Sequence, residues 1–162
     1  CPAQLRERIL HYASRDGMDI EGLGDKLVDS ILEHRLVARL PELYDLTPER
    51  LEALPRMGKK SAEKVCERIE RSKRMPLARF LFALGIRHVG ERSAAILARV
   101  CGTVEGFLGV TAEQLLTVRE IGEETARAVV TFVSTPEDRA LVEDLIGRGV
   151  APEPYAQPRQ AS

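Results

Sequence analysis

Aliphatic residues recur at intervals of three and four along this chain, in short segments that end at glycine, proline or charged residues. Leu5 and Ile9 fall on one face of a helix predicted over residues 2–14. Val65 and Ile69 share a face in a later segment. This pattern has the period of the α-helix and predicts an all-α fold built from small helices.

Four of the predicted helices begin at a glycine that follows the same hydrophobic pattern. The four segments are IEGLGDKLV at 20–28, LPRMGKKSA at 54–62, IRHVGERSA at 86–94 and VREIGEETA at 118–126. Successive glycines are 34, 32 and 32 residues apart, a period typical of a repeated supersecondary unit. A small residue follows each glycine by four positions and lets the second helix pack closely on the first. The chain therefore has four copies of the helix-hairpin-helix pattern.

The second copy indicates what such a hairpin can bind. We expect the bend to turn at Gly58 with a positive φ, and Lys59 and Lys60 then open the next helix. The first amides of a helix have no internal acceptors and lie at its positive end, so they attract phosphate. The lysines add charge without base-reading geometry, which predicts a nucleic-acid backbone bound without regard to sequence. An ordinary turn with solvated lysines is the structural alternative.

Charge is unevenly distributed, although the formal net charge is only −1. Residues 56–92 hold 11 Lys and Arg against 4 Asp and Glu, whereas residues 1–55 hold 7 against 11. Residues 103–162 are acidic again, with 5 against 10. Hairpins two and three should therefore lead any binding of DNA. The candidate DNA-binding residues are Gly22, Gly24, Arg56, Gly58, Lys59, Lys60, Arg87, His88, Gly90, Arg92 and Gly122.

Hairpins one and four carry acidic residues at their bends. Asp19, Glu21 and Asp25 surround hairpin one and should weaken its attraction for phosphate. Glu120 and its neighbours do the same at hairpin four, which we expect to be largely structural.

Composition excludes several other classes of protein. Aromatic residues make up 4% of the chain and tryptophan is absent, so the predicted core is aliphatic and rich in alanine. No apolar run is long enough for a membrane span, and no signal peptide is recognisable, which favours a cytoplasmic protein. Three cysteines at distant positions form neither a disulfide framework nor a self-contained zinc site. We find no phosphate-binding loop, metal-binding carboxylate cluster or nucleotidyl-transfer lysine motif, so this stretch is predicted to be non-catalytic.

Four blocks of the sequence resemble the bacterial NAD-dependent DNA ligases. They are CPAQ at 1–4, MDIEGLGDKLVDSIL at 18–32, LPRMGKKSA at 54–62 and ARFLFALGIRHVGE at 78–91, and the similarity covers residues 1–150. In that family this region follows the nucleotidyltransferase domain, the OB domain and a small zinc finger, and precedes a BRCT domain. The resemblance implies that Cys1 is the last zinc ligand of that finger. Since the other three ligands are missing, no zinc is expected in this fragment.

The resemblance also implies what the parent protein does. Such a ligase seals nicks in duplex DNA during replication and repair, through an adenylylated lysine, with NAD as adenylate donor and with Mg and Zn as further cofactors. This segment would grip the duplex through its backbone and minor groove, beside the other ligase domains, in the bacterial nucleoid. Two alternatives remain open: a module of another repair or recombination protein, and a helical scaffold that binds protein partners.

The repeat also predicts the organisation of the chain. Hairpins one and two should form one compact pair over residues 1–74, and hairpins three and four a second pair over residues 75–150. Residues 151–162 are rich in proline and polar residues and are predicted to be a linker or a frayed end.

Overall fold

The computed structural model describes residues 2–157, so the predictions for Cys1 and for residues 158–162 lie outside the described residues. Ten α-helices and two short 3₁₀ helices occupy the described part of the chain, and the all-α prediction is confirmed. The α-helices are α1 (Pro2–Ala13), α2 (Asp25–Glu33), α3 (Pro48–Glu52), α4 (Lys59–Arg71), α5 (Leu77–Ala83), α6 (Glu91–Cys101), α7 (Val104–Leu108), α8 (Ala112–Leu116), α9 (Glu123–Ser134) and α10 (Pro136–Gly147). The 3₁₀ helices are Leu40–Asp45 and Ser72–Arg74.

The four predicted helix-hairpin-helix units are all present. Their helix pairs are α1 with α2, α3 with α4, α5 with α6, and α8 with α9, and the two helices of each pair pack on each other. The small residue four positions after each glycine is buried in every copy, because the second helix lies close to its partners there. These residues are Val28, Ala62, Ala94 and Ala126.

A side-chain hydrogen bond joins hairpin one to hairpin two, and a similar one joins hairpin three to hairpin four. Arg68 on α4 donates through Nη1 to the carbonyl oxygen of Glu21 in hairpin one, at 3.1 Å. Thr125 on α9 donates through its hydroxyl to the carbonyl oxygen of His88 in hairpin three, at 3.3 Å. In each pair, the second helix of the later unit therefore holds the bend of the earlier one. The fold is two tandem pairs of helix-hairpin-helix motifs.

The two pairs also pack against each other. The ring Nε2 of His11 lies 2.8 Å from the carbonyl oxygen of Phe82, and Arg79 Nη1 donates to the carbonyl oxygen of Arg15 at 3.1 Å. Helix α10 lies against the first 3₁₀ helix, and Arg148 just beyond it pairs with Asp45 at 3.1 Å. A continuous aliphatic core runs through both pairs.

Residues 151–155, which we call the C-terminal strap, are not a frayed end. The carbonyl oxygens of Lys73 and Met75 accept bonds from the amides of Ala151 and Glu153, at 2.8 and 2.9 Å. The amide of Leu77 donates back to the strap at 2.9 Å, and Pro76 and Glu153 form an isolated parallel β-bridge. The prediction of a frayed end is therefore wrong over these residues, and that of a linker stays a prediction. The strap is held by backbone groups, which leave no hydrophobic period in the sequence.

Candidate nucleic-acid interface

Each hairpin glycine is the last residue before the second helix of its unit. Their φ angles are extended, at −98° for Gly24, −84° for Gly58, −91° for Gly90 and −79° for Gly122. The prediction of a positive φ at Gly58 is therefore wrong. An atom added at the Cβ position of any of the four would meet nothing within 4 Å. Neither the backbone conformation nor the packing of the protein thus requires glycine at these positions.

The left-handed turn of the first three hairpins lies two residues before the helix-starting glycine. Its φ is 93° at Gly22, 63° at Arg56 and 68° at His88. Left-handed backbone is strained for residues other than glycine, so the hairpin holds Arg56 and His88 in this conformation at a cost. Both side chains are exposed at the tip of their hairpins.

The helices that begin at the hairpin glycines have uncapped amino ends. No side chain caps α2, α4, α6 or α9. In contrast, the hydroxyls of Thr47, Thr103 and Thr111 cap the short helices α3, α7 and α8. The first amides of a helix lack internal acceptors, so those at the hairpins are open to an acceptor from outside.

Hairpin two combines such an amino end with three exposed cations. Arg56, Lys59 and Lys60 are exposed, and none is in a salt bridge within residues 2–157. Their charge is therefore available to a ligand beside Gly58. This arrangement suits a phosphate, which would receive both amide hydrogen bonds and positive charge.

Hairpin three repeats the arrangement with different residues. Arg87, His88 and Arg92 are exposed around Gly90, and neither arginine is in a salt bridge in the described part of the chain. The exposed Glu91 lies between them in sequence and reduces the local charge. The predicted basic residues thus lie at the bends of two hairpins, one in each pair, whereas the predicted Gly22, Gly24 and Gly122 lie in hairpins one and four.

Two family models match the chain, and they divide it between the hairpins. A model described as a SAM-like helix-hairpin-helix tandem matches residues 15–71, and one described as a helix-hairpin-helix motif matches residues 79–142. The DNA ligase of Geobacter sulfurreducens is 45% identical over 152 residues, which are 94% of this chain and 23% of that protein. The DNA ligase of Methylococcus capsulatus is 47% identical over 161 residues, which are 99% of this chain and 24% of that protein. This chain is a helix-hairpin-helix segment of the DNA ligase family.

The ligase segment spans about a quarter of the length of the curated relatives it matches. The DNA ligase of Anoxybacillus flavithermus is 47% identical to this chain over 150 residues, which are 22% of that protein. The predicted boundary between the two pairs, at residues 74 and 75, falls between the regions that the two family models match. It stays a prediction.

Hairpin one of the ligase segment is less repulsive to phosphate than its sequence indicates. Arg6 lies 3.4 Å from a carboxylate oxygen of Asp25, and Arg68 lies 3.5 Å from one of Glu21. These two arginines offset part of the acidic charge around Gly24. Sequence reasoning missed both, because Arg68 lies 47 residues from its partner in the chain and nothing local marks the contact.

Hairpin four of the ligase segment keeps most of its acidic character. Arg99 on α6 pairs with Glu120, but Glu123 and Glu124 are exposed and in no salt bridge within residues 2–157. The helix that follows Gly122 is as open as the others at its amino end. Its electrostatics are less favourable for an anion, so the expected structural role of this hairpin stays a prediction.

The described cysteines are unsuited to nucleophilic chemistry. Burial raises the pKa of the Cys101 thiol to about 11. The pKa of the Cys66 thiol is also raised, mainly by burial and to a smaller extent by the negative charge of Glu49. Both thiols are therefore protonated near neutral pH. Within residues 2–157 no three His, Cys, Asp or Glu side chains are grouped so that they could hold a metal. No helix in that range is long and apolar enough to cross a membrane.

Proposed function

We propose that this ligase segment binds the backbone of duplex DNA through its hairpins, without regard to base sequence. The observation that carries the proposal is the set of four uncapped helix amino ends, each preceded by a glycine that the protein's own structure does not require. A ligand that approaches the backbone closely explains the glycine, because a side chain there would stand in its way. The ligand that suits free amides at a positive helix end is an anion such as phosphate.

Hairpins two and three lead this binding. Lys59 and Lys60 flank one open amino end and Arg92 flanks another, so each site adds cationic charge to the amide donors. Contacts of this kind position a protein on the phosphates and carry no base information. The affinity should therefore depend strongly on salt and little on sequence, since binding releases counterions from the backbone.

We further propose that the segment is a non-catalytic part of an NAD-dependent ligase that seals nicks. The relatives named DNA ligase support this assignment over a module of another repair protein. NAD and Mg²⁺ would act in the rest of the parent, as would the zinc finger to which Cys1 would contribute. Contact through the minor groove, a role in replication and repair, and a place in the cytoplasmic nucleoid stay predictions.

A salt titration tests the proposal. The segment is titrated against a nicked duplex at several salt concentrations, beside a variant with Lys59→Ala, Lys60→Ala and Arg92→Ala. A mode with about four phosphate contacts predicts a log-log slope near −3.6, because each neutralised phosphate contributes about −0.9. The triple variant should bind more weakly and give a flatter slope, while its thermal unfolding is unchanged. A duplex of unrelated sequence should bind equally well.

The opposite outcome has a definite meaning. If the wild-type segment does not bind the nicked duplex even at low salt, the proposal fails for the isolated segment. The protein-interaction scaffold would then be the better assignment.

A further inference from the structure

An open cleft of about 520 Å³ lies beside hairpin three, where helix α9 of hairpin four packs against it. We call it the arginine cleft. The bend itself forms one wall, and one face of α9 forms another. Its charged and titratable lining consists of Arg8, Arg87, His88, Glu124, Arg127 and Asp138.

The arginine cleft has two cations that the protein does not neutralise. Arg8 lies 3.7 Å from Asp138, so these two largely offset each other. Arg87 and Arg127 are exposed, and neither is in a salt bridge within residues 2–157. Glu124 is the remaining carboxylate, so the lining carries a net charge of about +1 with His88 neutral. The cleft thus favours a single anion.

The position of Arg127 relative to hairpin three is fixed by the fold. The hydroxyl of Thr125, two residues earlier on α9, donates to the carbonyl oxygen of His88. Glu124 and Arg127 share a helical face, and this face lines the cleft. Arg127 therefore stands beside the bend of hairpin three, although it belongs to the helix of hairpin four.

We propose that the arginine cleft holds a second backbone phosphate of the duplex bound at hairpin three, through Arg87 and Arg127. Hairpin four then takes part in DNA binding by the side of its helix, and its acidic bend stays away from the backbone. Guanidinium groups suit this role because their planar fork matches phosphate oxygens. This inference rests on the proposed DNA binding and extends it to a residue outside the hairpin bends.

Two variants of hairpin four separate this proposal from a general effect of charge. Arg127→Gln removes a cation from the arginine cleft, and Arg119→Gln removes an equal charge from the exposed bend of hairpin four. With the nicked duplex, Arg127→Gln should weaken binding about three- to tenfold and flatten the salt slope by about 0.9. Arg119→Gln should stay close to wild type. Equal losses in the two variants, or none in Arg127→Gln, would overturn the proposal.

A second pair of variants gives an effect of opposite sign. Glu124→Gln removes the unpaired carboxylate from the arginine cleft and should tighten binding, because repulsion of the phosphate is lost. Glu123→Gln is the matched control, since Glu123 neighbours it in the first turn of α9 and does not line this cleft. Tighter binding by both variants to the same degree would indicate long-range charge alone and would contradict the proposal.

Neutral backbone linkages locate the phosphate. The wild type and Arg127→Gln are compared on duplexes that each carry one uncharged methylphosphonate. A methylphosphonate at one position should weaken DNA binding by the wild type. The same methylphosphonate should not weaken binding by Arg127→Gln further, because both changes remove the same contact. The absence of such a position would contradict the proposed phosphate contact in the arginine cleft. If Arg127→Gln binds as tightly as the wild type while the triple hairpin variant loses affinity, the cleft proposal is wrong and the proposed DNA binding stands. If the wild type shows no salt-dependent binding, the proposed DNA binding is wrong and the cleft proposal is wrong with it.

Discussion

At the scale of single residues, the proposed contact with a DNA backbone explains why glycine stands at the hairpin bends, since the fold itself does not require it there. Gly58 has an extended backbone and open space at its Cβ position, so another residue would fit there. The strained position is Arg56, where glycine would relieve the left-handed backbone, and an exposed cation occupies it instead. Both choices depart from what local stability favours. Such departures are typical of functional sites.

Gly58→Ser separates the stability of hairpin two from its binding. Serine is a good amino-terminal cap, so its hydroxyl should accept from the free amides of α4 and leave the free energy of unfolding unchanged or higher by a few tenths of a kcal/mol. DNA affinity should fall, because the same amides are then occupied. Calorimetry and a binding titration measure the two effects. Gly147→Ser at the exposed end of α10 is the control, and equal affinity in the two variants would refute the role of the Gly58 amides.

The buried Tyr12 and its half-buried partner Tyr44 give the protein a defined response to alkaline pH. The hydroxyls of Tyr12 and Tyr44 are 2.6 Å apart, and that of Tyr44 is 2.9 Å from Ser72 Oγ, which donates to the carbonyl oxygen of Ile69 at 2.6 Å. Burial raises the pKa of Tyr12 well above its usual value, and burial is also the largest cause that raises the pKa of Tyr44. The folded state therefore keeps both phenols protonated when the unfolded state has lost those protons.

Because the folded pKa values are raised, this stabilisation is present below about pH 10 and is lost as the pH rises further. Each tyrosine should contribute a decline of up to about 1.4 kcal/mol per pH unit in the free energy of unfolding. Tyr44→Phe should reduce the steepness of that decline, and urea unfolding across this pH range measures it. Tyr155→Phe alters an exposed tyrosine and should leave the steepness unchanged. The same steepness in both variants would contradict the assignment.

At the scale of elements, the hairpins could be predicted from the sequence and the strap could not. The small residue at Ala62 and the period of aliphatic residues are local signals, and they specified the hairpin helices. The strap depends on backbone bonds between Glu153 and Met75, which no local pattern marks. The left-handed turns at Arg56 and His88 were missed for another reason, because these residue types rarely adopt that conformation.

Deletion of residues 151–162 tests the strap. Four backbone hydrogen bonds reach the strap or come from it, counting that from the amide of Tyr155 to the carbonyl oxygen of Gly102. At about 0.5–1.5 kcal/mol each, their loss should lower the free energy of unfolding by about 2–6 kcal/mol, and the loss of the buried Pro152 adds to this. Denaturant unfolding provides the measurement. Deletion of residues 158–162 alone keeps every described contact and is the control; equal stability in both deletions would show that the strap contributes nothing.

At the scale of the whole molecule, the acidic ends of the sequence are partly neutralised within the fold. Arg6, Arg68 and Arg99 offset carboxylates at hairpins one and four. Helix α10 carries acidic residues that pair with the first half of the chain, as Asp144 does with Arg39 at 3.0 Å. A count of charges along the sequence locates the basic middle correctly but overstates repulsion elsewhere. These pairings join residues far apart in the chain, so composition alone could not indicate them.

The strap also fixes an order of events when the protein is made. Met75 is synthesised 78 residues before Glu153, its backbone partner in the completed fold. At about 5–20 residues per second, the ribosome needs about 4–16 s to make that stretch. Residues 73–77, which connect the two hairpin pairs, therefore have no strap to bond with until the second pair has been translated. The first pair can fold early, but the backbone bonds between Met75 and the strap form only after Glu153 has been synthesised.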